Sequence, residues 1–327
     1  MTRIGYQIPN FTYPGVAAAD LFPTIAAQAV AAERSGFDTV LVMDHFYQLP
    51  FLGAPSNDML ECYTLLAALS QHTSRVRLGA LVTGNTYRNP ALLAKTVTAL
   101  DVVSGGRAQL GIGAGWFELE HTALGFAFDT FTQRFEKLEE SLQIVLPMLR
   151  DERPTLHGTH YSVTDAINRP APLSRIPVMI GGSGETKTLR MVAQYADEGN
   201  LTCGLDEVPR KLDALAGHCE RLGRDRSTVT MSKQVQCVIG ETYDAALADA
   251  KVFLGALGID FDGADADTQA MYLSLVTLGS PDDVGEVLES VKALGVDGVT
   301  LALPANGHRP ENVELLGAVA GRVFGSA

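Results

Sequence analysis

Basic residues are in short supply in this chain: 25 Lys and Arg face 38 Asp and Glu in 327 residues, a formal charge of -13 at pH 7. That deficit excludes broad binding to nucleic acid, where affinity comes from clustered cations. Cysteine is scarce as well. Cys62, Cys203, Cys219 and Cys237 lie far apart, with no CxxC pair and no histidines at zinc-ligand spacing, so neither a disulfide framework nor a metal site is expected. They read as buried thiols in a reducing cytosol. No window approaches about 18 uninterrupted apolar residues, and the opening MTRIGYQIPNF lacks a charged-then-apolar leader. A soluble, cytoplasmic protein without membrane contact is expected. What the sequence does hold is apolar material, 46% of it, with 32 glycines against 15 prolines, which supplies a large core and argues against disorder.

Strand-like apolar runs alternate with helix-like periodic ones from end to end. Strands are expected at 4–8, 39–43, 77–82, 108–113, 178–180, 199–201, 228–239 and 298–303, and helices at 20–35, 63–72, 90–104, 131–150, 185–195, 208–222, 243–257, 281–294 and 310–324. Leu21, Ile25, Ala29 and Ala32 step at helical spacing to a stop at Gly36, where glycine can take the left-handed conformation that closes a helix. Thr130 and Gln133 form a capping box, and Ser280-Pro281 an N-cap with proline in the first turn. The strands are almost continuously apolar, as parallel strands covered on both faces must be. Eight strands, nearly all followed by a helix, predict an α/β fold of the (β/α)8 TIM-barrel type spanning residues 1–327 as one domain. A hairpin insertion at about 151–175 and an acidic insertion at about 258–280 interrupt the alternation.

In such barrels the site forms where the strands end at their carboxyl side. His45 is the strongest catalytic candidate, able to exchange a proton near neutral pH with Asp44 shaping its surroundings; the plainer alternative is a histidine that caps a loop. His157 and His160 flank the hairpin glycine and read as surface residues. Gly181-Gly182-Ser183-Gly184 ahead of a helix makes a phosphate cradle, though neither a P-loop nor a nucleophile elbow. Gly111, Gly113 and Gly115 miss the dinucleotide fingerprint by one position, and simple packing where a strand leaves the barrel explains them equally well. Trp116, the single tryptophan, can wall a flat ring system or fill core.

At these residues the sequence resembles the luciferase-like monooxygenase superfamily, and within it the coenzyme F420-dependent branch of actinobacterial type. The similarity runs from Arg3 to Phe324. It is carried by residues 36–46, by RVRLGALVTGNTYRNPALLAKTVTALDVVSGGRAQLGIGAGWFELEH at 75–121, by IPVMIGGSGETKTLRMVAQYADEGNL at 176–201, and by GVDGVTLALP at 295–304. The resemblance implies a barrel, usually a homodimer, that holds coenzyme F420 or, alternatively, FMN at the strand ends. It places Asp44 and His45 beside the reactive ring carbon, with the histidine handling a proton. It places a non-prolyl cis peptide at Leu81-Val82 behind the ring, Thr83 and Asn85 on the ring or its ribityl chain, and Gly181, Gly182 and Ser183 around the phosphate. Gly113, Gly115 and Trp116 complete the expected cofactor-binding set.

One departure is visible. The superfamily's sugar-phosphate dehydrogenases carry a catalytic glutamate where this chain has Trp116, and a tryptophan where it has Leu49, which weakens a sugar-phosphate assignment. Glu118 stands as a catalytic replacement and Glu120 as a second, with solvent exposure the favoured reading of both. The implied activity is a hydride transfer between the deazaflavin C5 and a small organic substrate. The alternatives are a reduced-FMN monooxygenase fed by a separate reductase, and a catalytically silent flavin-binding barrel. The net charge does not oppose an anionic cofactor: residues 241–289 carry eleven acids and one lysine, whereas 73–107 carry five basic residues and Asp101 alone.

Overall fold

The computed structural model describes residues 4–325. Its strands form where short, mostly apolar runs are buried on both faces; Glu198–Leu201, with Glu198 and Asn200, is polar yet buried. Ile4–Ile8 (β1), Thr39–Val42 (β2), Ala108–Gly113 (β5), Glu198–Leu201 (β9) and Gly298–Ala302 (β12) are buried at every position. With Arg77–Ala80 (β3), Val178–Gly181 (β8) and Thr230–Ile239 (β10) they make eight parallel strands in the order β1-β2-β3-β5-β8-β9-β10-β12. The ring closes where Thr230 pairs with Glu198 and where Ile4 pairs with Val299. This is the expected (β/α)8 barrel. Short strands add to it, Thr83–Gly84 (β4) on β5 and Thr277–Gly279 (β11) on the distal half of β10, while Leu156–His157 (β6) and Ser162–Val163 (β7) form a separate antiparallel pair.

The helices are Leu21–Arg34 (α1), Cys62–Leu69 (α2), Pro90–Val103 (α3), Glu118–Leu124 (α4), Phe131–Leu149 (α5), Thr188–Tyr195 (α6), Val208–Arg221 (α7), Tyr243–Ala256 (α8), Ala266–Ser274 (α9), Pro281–Ala293 (α10) and Pro310–Phe324 (α11). Both sequence-read caps are present: Thr130 and Gln133 form a reciprocal capping box on α5, and Ser280 does so with Asp283 on α10. Three elements differ from expectation for local reasons. Helix α6 starts at Thr188 rather than 185, because residues 185–187 form a turn and no side chain caps the helix earlier. Helix α9 lies in the stretch read as polar and buries none of its residues, so it has no apolar stripe to announce it. Helix α4 is only seven residues long, closed by Gly125 at φ 78°.

The hairpin insertion has no core of its own: Leu156, Tyr161, Val163 and Ala166 pack against the main core, and polar groups tie it further. The Glu140 carboxylate on α5 accepts the backbone N–H groups of Thr159, His160 and Tyr161, at 2.8 to 2.9 Å. Buried Asp101 on α3 accepts those of Leu173 and Ser174. Cys62, Cys219 and Cys237 are buried as read, while Cys203, in the loop after β9, is only half-buried. Among the described residues no helix is long and apolar enough to cross a membrane.

Candidate active site

The barrel brings His45 to its carboxyl end, just past β2, where one partner fixes it. His45 Nδ1 lies 2.8 Å from Glu120 Oε2. The histidine side chain is 14% exposed and the carboxylate not at all. Helix α4 explains the pairing: with Phe117 buried at its start, residues three and four later, Glu120 and His121, share the inward face, and Glu118 turns to solvent. Of the two glutamates, Glu118 is exposed, in line with the favoured solvent reading, whereas Glu120, also read as solvent-facing, is corrected: it is buried against the histidine. The useful signal was the i, i+3 spacing from Phe117.

Glu120 holds more than the histidine. Its Oε1 accepts the N–H groups of Phe46 and Tyr47, and its Oε2 accepts the Tyr87 hydroxyl. Burial opposes ionisation of this carboxyl, but the hydrogen bonds and charge of His45, with those of Tyr87 and the Tyr47 N–H, outweigh it and hold the pKa below the ordinary value. Burial and the adjacent Glu120 raise the Tyr87 phenol, so that it stays protonated and donates. A carboxylate only accepts, so His45 Nδ1 carries hydrogen and its Nε2, with no partner among the described residues, is the free end.

Asp44 does not shape His45 directly, contrary to expectation, because consecutive residues leaving a strand project to opposite sides. It is 2% exposed, and Arg88 grips it with both nitrogens, Nη1 to Oδ2 at 2.6 Å and Nη2 to Oδ1 at 3.0 Å. The Gly84 N–H donates to Oδ2 at 3.0 Å, and Arg88 also reaches Glu61 and lies over the Tyr63 ring. Burial pushes the Asp44 carboxyl up, against the pull of Arg88. The fork geometry is nonetheless that of an ion pair.

The Leu81-Val82 peptide is cis. The Val82 side chain then occupies space that only glycines leave open: a Cβ on Gly113 or on Gly181 would lie 2.8 Å from its methyl groups, and one on Gly111 would lie 2.0 Å from the Ala80 carbonyl. Packing thus accounts for these glycines, including two expected to bind cofactor. Gly115 and Gly182 have φ of 76° and 122°, conformations that favour glycine. Thr83 is buried with its hydroxyl 2.6 Å from that of Tyr63, and Ser183 Oγ accepts the Thr202 N–H at 2.9 Å. Asn85 is buried too, and its Nδ2 has no partner.

A small apolar cluster that the sequence reading missed reaches the His45 ring through Phe117. Met43, Leu49, Leu52 and Phe117 are buried together, with Phe253 of α8 packed on their flank. The Phe117 and Trp116 rings lie 5.8 and 5.9 Å from the His45 ring. Trp116 is 56% exposed, which rejects its reading as core filler. His157 is exposed and bonds Ser162, and His160 meets Glu136. Among the described residues no group of three or more His, Cys, Asp or Glu is arranged to hold a metal.

Comparison with known proteins gives the family and the fold. Residues 2–298 match the sequence profile of the luciferase-like monooxygenases. An F420-dependent glucose-6-phosphate dehydrogenase of Microbacterium testaceum is 32% identical over 222 residues, which cover 67% of this chain and 65% of that protein. The chain thus matches just under two thirds of that relative's length. An FMNH2-dependent dimethylsulfone monooxygenase of Pseudomonas putida is 26% identical over 317 residues, 88% of this chain and 84% of the relative. In fold, the chain resembles the coenzyme F420-dependent tetrahydromethanopterin reductase of Methanopyrus kandleri, with a TM-score of 0.76 at 19% identity over 99% of both chains.

Proposed function

Because the chain belongs to the luciferase-like monooxygenase family, we propose that it is a coenzyme F420-dependent oxidoreductase acting on a small organic substrate, with His45 as its proton-handling group. The observation that carries the reading is the buried Glu120–His45 pair with its free Nε2 at the barrel mouth. Curated relatives that use F420 support the choice of cofactor. The proposal retains the homodimer that the resemblance implies, the cytoplasmic location read from the composition, and one barrel domain over residues 1–327.

The residues present fit such a group. Asn85 offers an unpaired buried N–H, and the start of α6 beyond Gly181, Gly182 and Ser183 has no side-chain cap, leaving backbone N–H groups for a phosphate. When bound, the cofactor supplies hydride chemistry at C5 of its deazaflavin ring. The protein's own residues do the rest. Glu120 holds Nδ1–H in place and stabilises the imidazolium, so Nε2 is the atom that can give or take the accompanying proton. Tyr87 and the N–H groups of Phe46 and Tyr47 keep the carboxylate from rotating away. Val82 fills the space behind the site, and Phe117 with Trp116 keeps water from the side of the histidine.

A second reading, a reduced-FMN monooxygenase supplied by a separate reductase, is favoured by the longer alignment with the dimethylsulfone monooxygenase. Titration of the purified protein with F420 and with FMN, followed by fluorescence quenching, decides between them. Saturable F420 binding is expected. Tight FMN binding without F420 binding would replace the proposal by the second reading, and binding of neither would point to a silent barrel.

A further inference from the structure

We propose that Lys187 and Arg134 form a cationic subsite beside the Gly181 to Ser183 loop, and that it takes the chain of glutamates which coenzyme F420 carries beyond its phosphate. The inference rests on the proposed F420 reading and adds to it a contact that FMN, which ends at its phosphate, does not make. Its basis is a pair of cations that the fold leaves without counterions. Lys187 lies in the turn between that loop and α6, and its Nζ meets aromatic rings, 5.3 Å from the Phe131 centroid and 5.5 Å from that of Phe135. Arg134 donates Nε and Nη1 to the Gly115 and Asp129 carbonyls and lies over the Phe128 ring, 4.3 Å from its centroid. Among the described residues no carboxylate pairs with either cation, and the Arg134 Nη2 has no partner.

The neighbouring basic side chains are matched, so acids are not lacking there. Lys137 on α5 pairs with Asp129, Arg190 on α6 with Glu139, and Arg210 and Lys211 at the start of α7 with Glu207 and Glu185. The two unmatched cations border one place. Strands β5 and β8 pair side by side, and a Cβ on Gly113 would lie 3.9 Å from the Gly181 carbonyl oxygen, so the Gly115 turn held by Arg134 lies next to the Gly181 loop. Phe131, Arg134 and Phe135, spaced three and four apart, share one face of α5, which sets the Lys187 contacts next to Arg134. Phe131 is 60% exposed, so this turn of α5 is reachable from solvent. Cations held by rings and carbonyls keep their charge available to an incoming carboxylate, in contacts that salt screens.

The test titrates the purified protein with F420 bearing no glutamate and with F420 bearing several, each read by cofactor fluorescence. At low salt the glutamylated form is expected to bind about three- to tenfold more tightly, and the advantage should vanish at about 0.5 M salt. Lys187→Gln should remove most of that advantage while leaving the affinity for the form without glutamate unchanged, and Arg134→Gln should act in the same sense. Equal affinity for the two forms at low salt would overturn the inference. So would an undiminished preference in Lys187→Gln, or an equal loss for both forms, which would make Lys187 part of the phosphate site. Equal binding of the two forms removes the subsite alone, whereas failure of both to bind removes the proposed function and the subsite with it.

Discussion

The two sides of the barrel mouth are held in place by opposite means. Around β2, β3 and β5 the charged groups are out of water and matched atom by atom: Asp44 with Arg88 and the Gly84 N–H, Glu120 with His45, Tyr87 and two backbone N–H groups. Around β10 and β11 the acids of 241–289 stand largely in solvent, α9 buries nothing, and Asp262 pairs with Lys251 while 72% exposed. Desolvated pairs tolerate one geometry, because any orphaned member keeps its full desolvation cost; solvated pairs are screened and interchangeable. The first side can therefore fix a proton carrier, and the second can set only a field.

Removing one member of a matched pair should break this contrast most visibly. Arg88→Ala leaves Asp44 buried without its cation and is expected to lower stability by about 3 to 5 kcal/mol in denaturant unfolding. A loss no larger than that of an exposed pair would show that the two sides are not different in kind. His45→Ala should lower turnover by about 10²- to 10⁴-fold while cofactor binding, read by fluorescence, is retained. An unchanged rate would take His45 out of the mechanism.

Glu120→Gln tests the carboxylate itself. Its folded-state pKa lies below the ordinary 4.5, so its contribution to stability is present above that value and is lost as pH falls through the lower one. The melting-temperature gap between the native protein and Glu120→Gln should therefore shrink on acidification below 4.5. A gap independent of pH would mean that the carboxylate charge is not what the site uses. At the small end, Asp262→Asn on the solvated side should change stability by no more than about 0.5 kcal/mol. A larger effect would place that acid in a structural role which its exposure does not suggest.

The barrel was legible because its strands must be apolar on both faces and its helices on one, and both periods are written in the chain. So were the caps at Thr130, from Gln133 three residues on, and at Ser280, from the proline that follows it. His45 could be singled out from its place after β2, and the Gly181 to Ser183 loop from its small residues. Glu120 could not, because a carboxylate beside Glu118 looks like any solvated acid until α4 turns one inward and the other out. The partner of Asp44 was hidden for a related reason: Arg88 is 44 residues away, and only the neighbouring strands bring them together.

Residue type and periodicity by themselves determined the barrel, the end at which chemistry gathers, and the uneven distribution of charge, since each follows from local sequence and composition. Tertiary structure decided which charges face one another. It tied His45 to Glu120 rather than to Asp44, gave Gly113 and Gly181 to the Val82 side chain, and set Phe253 of the acidic span against the buried cluster that includes Phe117. Such pairings depend on distances between segments remote in sequence, and whether they bind or merely coexist depends on how completely the fold removes water from between them.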